Sequence, residues 1–459
     1  MSISVPVAPV QGSVEFPIAA DVVIVGGGIV GIMTALELAE AGLSVTICEK
    51  GVVAGEQSCR NWGWVRQMGR EEAELPLAAV ALDLWQGMDA RIGASTGFRQ
   101  TGITYAAFTR RDAAHWARWH EVGKRHGINT TLLSAERVRQ AIPGIRGPVQ
   151  MALWSPDDGC AEPWIAAPAM AEAARKAGAT ILTNCAVRAL DIEGGRIAGV
   201  VTEKGRIRAS RVVIAGGVWS RVLLRNHDID FPQLRVTGTV ARVIGAKDIP
   251  DHPFGTENFS IRPRQDGGHT LTLRNANIAE ILPDNFRLFG EYVPRLLDSW
   301  REFHLRFGPS FFRELALPGK WDFGEPTIFE KVRTLDPKPS DLFLKRALKN
   351  ARKAFPSLDN LSISHAWAGV MDVTPDAVPV IDAVPGLGGA WIASGCSGHG
   401  FGLSPGIGRL LADMILERSY VVDPTPFRWS RLSKKQYGMT GNQAVACQSG
   451  NAPPTHSKT

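Results

Sequence analysis

The chain has 459 residues, 44% hydrophobic and 21% charged, about three times a roughly 150-residue single-domain prior, which excludes a minimal module and a disordered polymer. Its net charge of +6, from 51 Lys+Arg against 45 Asp+Glu, is too diffuse to indicate nucleic acid and is compatible with an anionic ligand. The 48 glycines follow no G-X-Y period, which excludes collagen and raises the question of where a folded chain needs so many positions without a Cβ.

Residues 1–17 read as a flexible polar leader, and residues 438–459 as a flexible tail. Val22–Leu38 is apolar enough to suggest a membrane span, but Asp21, Gly26, Gly27, Gly28 and Gly31 argue for a buried strand, turn and helix. The pattern predicts strand Val22–Val25, helix Ile29–Ala41 ended by Gly42, and strand Ser44–Cys48. That helix is apolar on nearly every face, as a helix packed against a parallel sheet must be. Its entry, Gly26-Gly27-Gly28-Ile29-Val30-Gly31, is G-x-G-x-x-G in the strand-to-helix context of a dinucleotide fingerprint. Gly26 permits the tight turn, Gly28 lets the backbone reach a pyrophosphate, and Gly31 allows close helix–strand packing. The helix N-terminus offers free N–H groups to the phosphates. Glu49, eighteen residues beyond Gly31, suits a carboxylate on ribose hydroxyls and disfavours a 2′-phosphate.

Further along, the pattern predicts helices over Glu72–Ile92 and Arg111–His126 with a strand near Gly102–Phe108 between them. Helix Trp164–Ala177, strand Thr180–Thr183, a β-meander through Val187–Ala209 and strand Val212–Ala215 return the chain to the first sheet. Residues 226–354 change character, with strands Val236–Ile244 and Thr270–Arg274 and helices Asn285–Arg306 and Ser340–Ala354. The basic cluster Lys345, Arg346, Lys349, Arg352 and Lys353 falls on the last of these as a solvated face. A strand near Ser362–Ala366, a run at Ala390–Ala393 and a helix Pro405–Glu417 complete the chain.

The expected fold is therefore α/β plus α+β, a Rossmann-like unit interleaved with an antiparallel-sheet unit. The expected nucleotide unit is residues 18–95, 150–225 and 355–425, and the expected substrate unit residues 96–149 and 226–354. Six scattered cysteines without C-x-x-C or a signal segment point to a reduced, cytoplasmic setting without a transmembrane segment. No metal-ligand spacing is present.

The fingerprint alone does not choose between NAD and FAD. The second glycine cluster, Ser394-Gly395-Cys396-Ser397-Gly398-His399-Gly400-Phe401-Gly402-Leu403, precedes a helix and suits backbone approach to a ligand with the helix dipole aimed at developing negative charge. A reduced flavin needs that dipole. The hydrolase motif G-x-S-x-G fails because His399 follows Gly398.

Together these segments resemble the D-amino-acid-oxidase-like superfamily of FAD-dependent oxidoreductases, the group of glycine oxidase, sarcosine oxidase and D-amino-acid dehydrogenases. The resemblance spans about residues 20–420 and rests on five stretches in the family's order. They are the fingerprint with Glu49, the loop Gly55–Gly63, the strand end Val213–Ser220 with Ala215, Gly217 and Trp219, the segment Trp367–Asp376, and Gly395–Gly408. It implies FAD, with Val187 on the adenine through its backbone and with Ser58, Arg60 and Asn61 near pyrophosphate and flavin. It implies oxidation of a C–N bond by hydride transfer to flavin N5 and hydrolysis of the imine. The expected substrate is a D-amino acid, an N-substituted amino acid or an opine-like secondary amine. The electron acceptor is oxygen, a quinone or a carrier.

A carboxylate clamp is expected from arginine, whose planar fork matches a carboxylate. The candidates are Arg66, Arg262, Arg264 and Arg274. His399 is read as a cofactor contact or acid/base group, His269 as a substrate-site residue, and Trp62 and Trp64 as pocket walls. Two departures from sarcosine oxidases stand out: Gly402 occupies the place of a lysine that grips the substrate carboxylate, and strand His269–Arg274 lacks the lysine that promotes reaction with oxygen. Gly369 stands where those enzymes attach flavin through cysteine, which speaks against that linkage. The missing lysines motivate a second reading, an FAD-binding subunit that passes electrons to a partner subunit.

Overall fold

The computed structural model describes residues 5–246 and 249–432; the expected tail and Cys447 lie outside them. Six strands form the first sheet in the order Val380–Ala383, Ala390–Ser394, Arg211–Ile214, Val22–Val25, Val45–Cys48, Thr180–Leu182. Every neighbouring pair is parallel except the outermost, Val380–Ala383 with Ala390–Ser394. The strands are short and buried on both faces, so they are continuous apolar runs instead of alternating ones. Helices Ile29–Glu40 and Gly400–Ile415 pack together on one face with Leu75–Gln86 and Pro163–Lys176. The meander follows as a three-stranded antiparallel sheet, Val187–Glu193, Arg196–Thr202 and Gly205–Arg208.

The second unit is a ten-stranded, mostly antiparallel sheet. Its central pair is Leu234–Ile244 against Ser362–Val373, in register from Leu234↔Val373 to Ile244↔Ser362 with a bulge at Arg242/Val243. The strand near Ser362–Ala366 thus runs seven residues further than its alternation predicts. Strands Met151–Ser155 and Ser362–Val373 sit in this sheet, although both fall in stretches expected to belong to the nucleotide unit. The interleaving goes beyond the expected boundaries.

Three other expectations are corrected. The helix Asn285–Arg306 is two helices, Pro283–Arg287 and Phe289–Ser299, followed by strand Phe303–Arg306 pairing parallel with Asn277–Glu280. Phe303 and Leu305, two apart, both face the large cavity described below, and a period of two is a strand's. The helix expected from Pro405 begins at Gly400. Pro405 has no N–H for the carbonyl of Phe401, and Ser404 Oγ donates to that carbonyl at 2.9 Å instead. Gly402 O accepts Trp85 Nε1 at 2.9 Å. Finally, the leader is anchored at points between Val5 and Ser13: Val5 is buried, Ala8 N–H donates to Trp164 O at 3.0 Å and Ser13 N–H to Ile181 O at 2.7 Å. Among the described residues no helix is long and apolar enough to cross a membrane.

Candidate functional site

The fingerprint loop closes only with glycine. Gly26 has φ +112°, and a Cβ there would lie 2.5 Å from Ala215 O; a Cβ at Gly31 would lie 2.2 Å from Gly26 O. Gly28 meets only Ser58 Oγ, at 3.3 Å. The turn is therefore tight on the sheet side and open toward a cavity. Ile29 N–H, at the start of the helix, donates to Ser58 Oγ at 2.9 Å, where a phosphate oxygen could take the serine's place. Glu49 is held from two sides, accepting Gly27 N–H at 2.8 Å and Gly51 N–H at 2.7 Å. Burial pushes its carboxyl above the ordinary range despite Lys50 and these amides. A carboxylate in that state gains from sugar hydroxyl donors.

The cavity beyond this loop is lined by Gly26, Gly28, Ile29, Val30, Glu49, Ser58, Asn61, Val187, Ala215, Gly217, Trp219, Gly398 and Gly400. These come from segments more than 370 residues apart in the chain. The open glycine turn, the free helix end and the paired carboxylate fit an adenine dinucleotide. Gln57 Oε1 is buried without a partner where this cavity meets the next, so an orphaned acceptor stands where a donor on the bound cofactor would satisfy it. Gly31 packs the turn without lining the cavity, and Leu403 lies in the core.

The second glycine cluster is organised by an acid that the sequence offers only as part of a motif. Asp372 Oδ2 accepts Gly395 N–H at 2.6 Å, Cys396 N–H at 3.3 Å, Ser394 Oγ at 3.2 Å and Gln233 Nε2 at 3.2 Å. Gly395, at φ +73°, has no room for a Cβ, which would meet Thr374 Cγ2 at 2.3 Å. The loop is thus pinned by its N–H groups, and the sixteen-residue helix Gly400–Ile415 points its N-terminus at the junction of the two cavities. A Cβ at Gly369 would lie 2.1 Å from Gln57 Oε1 and 3.0 Å from Arg60 Cβ, so the Gln57 side chain would have to move.

The second cavity, about 540 Å³, shares Gln57, Asn61, Gly398 and Phe401 with the first. Its walls are apolar and aromatic, including Trp62, Trp64, Tyr105, Leu273, Phe289 and Met371. Six arginines line it: Arg60, Arg235 and Arg295 pair with Asp336, Glu314 and Glu71, which leaves Arg66, Arg70 and Arg274. Arg66 bonds Met68 O, Arg70 Nε bonds Arg66 O at 3.3 Å, and Arg274 bonds Thr256 O at 3.1 Å while stacking 4.1 Å above Tyr105. None of the three forms an ion pair with a described carboxylate. Burial, with Arg66 nearby, pushes the Arg70 guanidinium down to about 9, and burial also lowers that of Arg274. Unpaired buried cations of this kind are relieved by an anion.

Arg70 was not among the sequence candidates. The one trace of it is Gly402: a Cβ there would lie 3.1 Å from Arg70 Nη2, so the arginine fills the space left by the absent side chain. His399 lines the same cavity and pairs with the buried Glu74 through Nδ1, 2.9 Å from Oε2.

Other expected residues lie elsewhere. Arg262 is bidentate with Glu162, at 2.9 and 3.0 Å, both side chains buried. Arg264 pairs with Asp266 at 2.8 Å and stacks 4.0 Å over Trp164, outside the large cavity. Strand alternation and composition do not tell these arginines from Arg274; the carboxylate that takes Arg262 comes from a distant segment, while the one that takes Arg264 lies two residues on. His269 lines neither cavity; its Nδ1 is buried without a partner, and burial pushes the imidazole down to about 4. The Arg60 guanidinium is spent on Gly55 O, Ala368 O and Asp336, so its part in the site is to hold the loop.

The profile of the DAO family, described as FAD dependent oxidoreductase, matches residues 21–414. A glycine oxidase of Pseudomonas aeruginosa is 26% identical over 416 residues, 88% of this chain and 97% of its own. Sarcosine oxidase subunit beta of an Arthrobacter species is 26% identical, with 90% of each chain covered. Among solved structures, the L-amino acid deaminase of Proteus myxofaciens in complex with anthranilate superposes with a TM-score of 0.88 at 32% identity, over 94% of this chain and 97% of that one. The L-amino acid deaminase of Proteus vulgaris gives a TM-score of 0.87 at 31% identity, over 92% and 100%.

Proposed function

Because the chain belongs to the DAO family of FAD-dependent oxidoreductases, with FAD as cofactor, we propose that it oxidatively deaminates L-α-amino acids bearing large apolar or aromatic side chains. The observation that carries this reading is the pairing of unpaired cations with apolar walls in one cavity that adjoins the nucleotide site. Arg70 and Arg66 would take the substrate carboxylate, and the aromatic and aliphatic wall the side chain. The amino acid would then lie with Cα toward the junction at Asn61 and Gly398. When bound there, FAD supplies a hydride acceptor. The chain's own part is orientation, exclusion of water by the apolar wall, and the helix N-terminus at Gly400 facing the charge that develops.

The L configuration is favoured by the likeness to two L-amino acid deaminases above 30% identity, in place of the D-amino acid, N-substituted or opine-like substrate expected from sequence. The test is anaerobic bleaching of bound flavin with matched L- and D-amino acids, sarcosine and a secondary opine-type amine. Bleaching by L-phenylalanine and L-leucine but not their D forms supports the reading. Bleaching only by sarcosine, opines or D forms, or by none, overturns it.

A further inference from the structure

Glu74 closes the short turn Glu72–Glu74 that leads into helix Leu75–Gln86, and its side chain is 0% exposed. It touches His399 with both oxygens, Nδ1 standing 3.0 Å from Oε1 and 2.9 Å from Oε2. His399 is fixed in turn by its backbone, whose N–H donates to Cys396 O at 2.7 Å, just ahead of helix Gly400–Ile415. A carboxylate only accepts hydrogen bonds, so this pairing requires the hydrogen on Nδ1. The lone pair of the neutral ring is then on Nε2. Among the described residues no group bonds Nε2, and the ring lines the large cavity.

We infer that Glu74 is a positioning residue that fixes the tautomer of His399, and that His399 Nε2 takes the proton from the ammonium group of the substrate. The inference rests on the amino-acid reading above and adds a base to it. An amino acid reaches the site as an ammonium ion, which has no lone pair to form a C=N bond. At His399 one N–H bond breaks, the proton goes to Nε2 and the electron pair stays on nitrogen. Loss of the Cα hydrogen with its bonding electrons, to the acceptor that FAD would supply, would let that nitrogen pair close the C=N bond as C=NH2+. Water then adds to the C=NH2+ carbon, the nitrogen leaves as ammonium as the 2-oxo acid forms, and the proton on Nε2 returns to solvent.

The charges around the ring suit this cycle. The groups facing it are Glu74, Arg70 and Arg66. Burial above all, joined by the two arginines and opposed by Glu74, holds the imidazole below its ordinary pKa, so it is an unprotonated acceptor at neutral pH. A substrate carboxylate seated on the arginines offsets their charge, which makes the ring more basic once the ammonium is beside it.

The test is nitrogen-15 NMR of ring-labelled holoprotein, with His399→Asn identifying the signal, together with the pH profile of Glu74→Gln. The expected wild-type spectrum near pH 8 has Nδ1 protonated and Nε2 bare. A carboxamide can donate as well as accept, so E74Q should populate the Nε2–H form and lower kcat/KM by about 10²-fold, the size of a general-base contribution. Its acid limb should move to lower pH. The Kd of a carboxylate analogue without an amine should stay within about twofold, and Glu74→Asp should restore part of the loss. A wild-type Nε2–H ring, or an E74Q profile matching wild type, overturns the inference. If E74Q does not fold, the wild-type ring spectrum decides. If no amino acid bleaches the flavin, the amino-acid reading fails, and the base assignment fails with it. If amino acids bleach it while the ring is Nε2–H, only the base assignment fails.

Discussion

The guanidinium of Arg70 and the bare backbone of Gly402 divide one volume between them, with 3.1 Å separating Nη2 from where a Cβ at 402 would stand. A side chain at 402 would press on the arginine and on Trp64 O, 3.2 Å from the same point, so the arginine would have to shift. Arg70→Met should therefore raise KM for amino acids about 10- to 100-fold, since a hydrogen bond to a charged group contributes roughly 1.5–3 kcal/mol. The same change should leave bound flavin in place. Steady-state kinetics with the flavin absorbance recorded alongside checks both halves.

Gly31→Ala should abolish cofactor binding without unfolding the antiparallel sheet. Its Cβ would press to 2.2 Å from Gly26 O, and that atom is backbone with nowhere to retreat. The expected product is a colourless protein that retains most of its β-sheet circular dichroism. A yellow G31A would contradict the geometry.

Arg262→Met should destabilise the protein by about 3–5 kcal/mol, because it strands Glu162 as a buried unpaired charge. The double variant with Glu162→Leu should recover most of that loss. KM should change little in the double variant, since this pair lies outside the large cavity. Urea unfolding of the two variants, with kinetics on the double, separates a structural arginine from a substrate clamp.

His269 gives the fold a pH dependence of definite sign. Its folded pKa, about 4, lies below its unfolded value, so its contribution is full above about pH 6.5 and is lost as pH falls toward 4. Between pH 6.5 and 5 the loss should be about 2 kcal/mol at about 1.4 kcal/mol per pH unit. His269→Gln should flatten that slope in urea titrations at the two pH values.

Asp372→Asn should loosen the glycine loop, since one carboxylate oxygen receives four donors and an amide in its place must turn a donor toward some of them. A loss of about 2–3 kcal/mol is expected, with weaker flavin retention during gel filtration at moderate urea.

The nucleotide half of the site is legible in the sequence because contiguous residues make it. Gly26, Gly28 and Gly31 are needed by one turn, and Glu49 ends the next strand. The substrate half is not written this way. Arg70 and Arg274 lie 204 positions apart and meet only after the sheet closes, and Arg262 and Arg264 look equivalent until Glu162 and Asp266 claim them. Glu74 reads as one more acid at the start of a helix. Its importance comes from burial, which periodicity reports poorly at a helix N-terminus. The leader is illegible for a related reason: its short apolar residues Val5, Val7 and Val10 have no period of their own and find their places on surfaces built by later segments.

The strand Ser362–Val373 begins at the exposed end of the large sheet and ends with Asp372 holding the glycine loop. It is a beam fixed in both units. Rotation of one unit against the other would have to break the bonds at its far end, where Asp372 receives Gly395 N–H, Cys396 N–H and Ser394 Oγ and Val373 bridges to Cys396. The cavity meets solvent along its own wall, where the helices Pro283–Arg287 and Phe289–Ser299 carry the exposed Phe286 and Phe289.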